Sequence, residues 1–96
     1  MKVIGIVDHC GRDYNEYSLN GALGGSETWV IELASEFVRK GYKVIVFNGT
    51  NQVNHIDTVF GIEWVRMQDF NDYCKDNKFD YIILSRIYER MISQIE

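Results

Sequence analysis

The chain predicts an α/β fold, a mostly parallel sheet of about four strands with flanking helices, and three observations carry that expectation. Residues 3–7 (Val-Ile-Gly-Ile-Val) and 43–47 (Lys-Val-Ile-Val-Phe) are short, β-branched runs without polar alternation, the habit of strands covered on both faces. Between them, residues 27–40 place Val30, Leu33, Ala34, Phe37 and Val38 on one helical stripe, with Thr28, Glu32, Ser35, Glu36, Arg39 and Lys40 opposite. The same succession of apolar run and helical spacing then recurs to the end of the chain.

The elements follow in order. Residues 3–7 form the first strand, and residues 8–25 a long polar loop holding Gly11, Gly21, Gly24 and Gly25. Ser26 is suited to cap the helix, Glu27 puts a negative charge in its first turn, and Gly41 stands where a left-handed stop is needed. Residues 43–47 are the second strand, closed by an Asn48-Gly49 turn, with a short extended piece expected near residues 56–60. Residues 62–66 are a third strand. Asp69 is placed to cap a helix over residues 70–77, with Phe70, Tyr73 and Cys74 on one face. Residues 79–84 are a fourth strand, and Ile87, Met91 and Ile95, spaced by four, mark a last helix. The aromatic set Trp29, Phe37, Phe47, Trp64, Phe70 and Tyr81 reads as core, with Trp29 off the main stripe; His55 reads as a surface residue.

Ninety-six residues, 46% apolar and 25% charged, suit one small globular domain spanning residues 1–96. A net charge of −4 and the lack of any Lys/Arg cluster argue against a nucleic-acid partner. No apolar run approaches the roughly 20 residues that a spanning helix needs, and residues 1–8 make too short a run for a signal peptide. A cytoplasmic protein is therefore expected. Cys10 and Cys74 are too sparse for a disulfide framework or a zinc site, so no metal is expected.

A glycine turn ahead of a helix is a ready anion site, because the first N–H groups point outward with the positive end of the dipole. Gly24, Gly25 and Ser26 are candidates to face a ligand; equally, the two glycines serve a tight turn into a packed helix. His9, just past the first strand, is either a ligand contact or an incidental loop histidine. Asp8, just past the first strand, resembles the carboxylate that ends that strand in phosphoacceptor receiver domains, but the further acids of that chemistry are not evident. The spacing Gly21-Ala22-Leu23-Gly24-Gly25 does not match a dinucleotide fingerprint, and no phosphate-binding P-loop motif occurs.

At Gly24-Gly25-Ser26-Glu27, then Leu33-Ala34, Lys40-Gly41-Tyr42 and Val44-Ile45-Val46, the chain resembles the N-terminal domain of GT-B fold glycosyltransferases. It is most similar to the retaining group called glycosyltransferase family 4, and Phe79-Asp80-Tyr81-Ile82-Ile83-Leu84-Ser85 looks like that family's fourth strand. The resemblance implies a Rossmann-like domain that shapes the acceptor side of a cleft. It implies transfer of a sugar from a nucleotide-sugar donor to an acceptor hydroxyl, without a metal or other cofactor. Gly24 and Gly25 would approach the donor phosphates, with Ser26 beside them. Where many members carry a His after the fourth strand, this chain has Ser85-Arg86, and Arg86 is a candidate for an anionic group. The resemblance also implies a truncated enzyme, inactive alone, since the donor-binding half has no counterpart here. The alternatives are a non-catalytic subunit docking on a partner chain or self-associating, and a stand-alone nucleotide-binding α/β module.

Overall fold

The computed structural model describes residues 1–8, 25–49 and 53–86, with the backbone alone at residues 25–27, 85 and 86. Its elements are β1 (Val3–Asp8), α1 (Gly25–Arg39), β2 (Lys43–Asn48), β3 (His55–Ile56), β4 (Glu63–Arg66), α2 (Phe70–Asp76) and β5 (Tyr81–Arg86), with a 3₁₀ turn at Met67–Asp69. The expected last helix over Ile87, Met91 and Ile95 lies outside the described residues.

The five strands stand in the order β3-β4-β2-β1-β5. β4, β2, β1 and β5 are parallel, and only β3 runs antiparallel, against β4. Setting β3 aside, the parallel strands follow the chain order 3-2-1-4 of a doubly wound, Rossmann-like half-sheet. The helices fall on opposite faces because the chain winds one way from β1 to β4 and then reverses to reach β5, while each crossover keeps the same hand.

Alternation along the strands builds two cores. Ile4, Ile6, Val44, Val46, Ile62 and Trp64 meet Val30, Ile31 and Ala34 of α1 on one face. Val7, Ile45, Phe47 and Val65 meet Phe70 on the other, with Tyr73, Cys74 and Phe79 packed around them. Each fully buried branched or aromatic side chain contributes about 1.5–3 kcal/mol. Phe47 is the hub of the second core, edge-on to Phe70 (4.8 Å), Tyr73 (5.4 Å) and Phe79 (5.8 Å). Gly5 makes room there: a Cβ on it would lie 3.0 Å from the Phe79 ring. A glycine inside a central strand is the mark of such a close approach.

α1 ends as its sequence requires. Gly41 takes φ +96°, its N–H bonds the Val38 carbonyl (3.0 Å), and the Tyr42 N–H reaches back to Phe37 (3.1 Å). The Tyr42 ring then packs edge-on against Phe37 at 5.7 Å, completing a Schellman stop with its apolar contact.

Several boundaries and burial expectations are corrected. α1 begins at Gly25, so Ser26 lies in its first turn and not at the cap; a glycine can adopt helical angles as readily as turn angles. Asp8 and Asn48 extend their strands instead of starting loops, because both still align with neighbouring strands. The piece expected at residues 56–60 is a strand only at His55–Ile56, since beyond it the chain curls around Asp57. His55 is accordingly half-buried. The fourth strand starts two residues late, at Tyr81, because Asp80 is spent bonding Val3 through both its N–H and its carboxylate. Tyr81, expected in the core, is 50% exposed, and Trp29 is 49% exposed, in keeping with its place off the stripe.

Asp69 immediately precedes α2, yet its side chain makes no cap bond; it is occupied by Arg66 and Asn54 instead.

Candidate functional site

Because four strands are parallel, their C-terminal ends share one edge. Asn48 stands opposite Arg66, and Asp8 stands opposite Arg86 after a register shift at Val7/Asp8. Val7 pairs with Phe47, so Asp8 and Asn48 are the next residues of adjacent strands. The edge therefore carries a polar row, Arg66–Asn48–Asp8–Arg86, about 14 Å wide at the usual strand spacing. Immediately behind it runs an apolar row, Val65–Phe47–Val7–Leu84. The order of the sheet reverses between β1 and β5, which puts the switch point at the Asp8–Arg86 pair. In open α/β sheets ligands bind outside the strand C-termini at such a point.

α1 brings its N-terminus to the same edge. Its 15 residues span about 22 Å, close to the length of the strands it crosses, and its C-terminal turn joins the opposite end of the sheet at Lys43. Gly25 and Ser26 thus lie in the helical turn that opens at the C-terminal edge. Gly24 and His9 fall outside the described residues. Arg86 is the last residue of β5 and not a residue beyond it, a consequence of the two-residue shift of that strand.

Asp8 and Asn48 are fully buried, so they form the floor of the edge. No buried side-chain nitrogen or oxygen among the described residues lacks a hydrogen-bond partner. Arg66 is part-exposed. Its Nε and Nη2 donate to Asp69 Oδ2 (3.1 and 3.0 Å), and Asn54 Nδ2 donates to the same oxygen (2.9 Å). The Arg66 backbone N–H donates in turn to Asn54 Oδ1 (2.8 Å), closing a ring that ties the β3 segment to the end of β4. The Asn54 bond foremost, then the Arg66 guanidinium, hold the Asp69 carboxyl below its usual range. That contribution is present above the ordinary carboxylate pKa and lost as pH falls.

Sequence reasoning singled out the glycine turn and Arg86 and weighed Asp8, but did not join them with Asn48 and Arg66 into this row. A signal for it was present: each apolar run ends on a polar residue, Val7-Asp8, Phe47-Asn48 and Val65-Arg66. The row joins one carboxylate, one amide and two guanidinium-bearing residues; guanidinium is the group suited to an anion, while the buried Asp8 and Asn48 lie beneath it. It does not bring together the several acids that receiver chemistry requires. Among the described residues no group of His, Cys, Asp and Glu side chains is arranged to hold a metal ion, and no helix is long and apolar enough to cross a membrane.

No family model matches the chain, and no curated protein or solved structure matches it.

Proposed function

We propose that this chain is the N-terminal, acceptor-side Rossmann-like part of a GT-B glycosyltransferase, which moves a sugar from a nucleotide-sugar donor to an acceptor hydroxyl. The observation that carries the reading is the C-terminal edge, where the polar row, the switch point and the Gly25 end of α1 coincide. A nucleotide sugar has what such an edge can bind: phosphates for the helix N–H groups and for guanidinium. The resemblance of residues 24–46 to the family's glycine turn, helix and strand supports the same reading.

Calorimetric titration with a panel of nucleotide sugars tests it. Binding to at least one is expected, together with a loss of about tenfold or more in affinity for Gly25→Val at an unchanged melting temperature. Binding to none, or an affinity that Gly25→Val leaves intact, would overturn the assignment. Robust sugar transfer by this chain alone would refute the part of the reading that assigns the donor-binding half elsewhere.

A second reading, a non-catalytic subunit completed by a partner chain, is favoured by β5, where Tyr81 and Leu84 are 50% and 46% exposed. A monodisperse monomer that recovers no partner on pull-down counts against it.

A further inference from the structure

We draw no further inference here: the strongest candidate, the apolar groove of about 380 Å³ that Ile4, Phe37, Tyr42, Tyr81 and Ile83 line between the end of α1 and β5, carries nothing because nothing in the structure shows what covers it.

Discussion

Asp57 is a buried carboxylate on which four donors converge. Phe60 N–H (2.6 Å) and Gly61 N–H (3.0 Å) reach Oδ1, while Ile62 N–H (3.3 Å) and Trp64 Nε1 (2.6 Å) reach Oδ2. One side chain thus shapes the turn between β3 and β4 and fixes the largest residue of the first core. Asp57→Ala strands those donors, each at about 1–3 kcal/mol when buried, so a loss of about 3 kcal/mol or more is expected in urea denaturation. In a double-mutant cycle, Trp64→Phe should cost less in the Asp57→Ala background than alone, since the shared bond is already gone. Gly5 sets a different constraint. Gly5→Ala pushes a methyl group against the Phe79 ring, and a loss of about 1–3 kcal/mol should appear in the same assay. Tyr73 should make the protein sensitive to alkali. Burial above all, then the nearby Glu63 carboxylate, raise its phenol well above the ordinary value of 10, and burial raises the Cys74 thiol above 9. A raised folded-state pKa gives stability that is complete below the unfolded value and lost as pH rises through it. Urea midpoints should therefore fall as pH climbs past about 9–10, and Tyr73→Phe should flatten that fall. An equally steep fall in the variant would refute this account of the phenol.

Among the elements, α1 shows how far local chemistry reaches. Its stripe and its glycine stop were legible because helical periodicity and a left-handed terminus both leave marks on neighbouring residues. Gly41→Ala must hold an L side chain at φ +96°, and the expected cost is about 1–2 kcal/mol, a fall in melting temperature of several degrees for a domain of this size. Ile31, fully buried, was missed, because the stripe is wider than the spacing from Val30 suggested and α1 packs into a cluster drawn from β1, β2 and β4. Strand ends were less legible. Whether Asp8, Asn48 and Arg86 continue a strand depends on the neighbour they pair with, and no local pattern carries that information. The late start of β5 has the same origin, since Asp80 bonds a residue 77 positions away. Asp69 was readable as a residue at the start of a helix, but not as the acceptor that holds Arg66, because its competing donors come from β4 and the β3 segment.

At the level of the whole molecule, the parallel α/β class followed from the succession of strand and helix, whereas the candidate site did not. The polar row exists only once β4, β2, β1 and β5 lie side by side, and the chain separates its members by tens of residues. The glycine turn could be seen alone, and the fold sets its helix beside that row. Nucleotide-sugar binding at the C-terminal edge, as proposed above, is tested most directly by backbone amide NMR titration with the tightest-binding nucleotide sugar. Shifts concentrated at Asp8, Gly25, Asn48, Arg66 and Arg86, with Lys2, Lys43 and Tyr81 at the opposite edge unmoved, are the predicted result. Shifts centred on Lys2, Lys43 and Tyr81, or no saturable shifts at all, would contradict it.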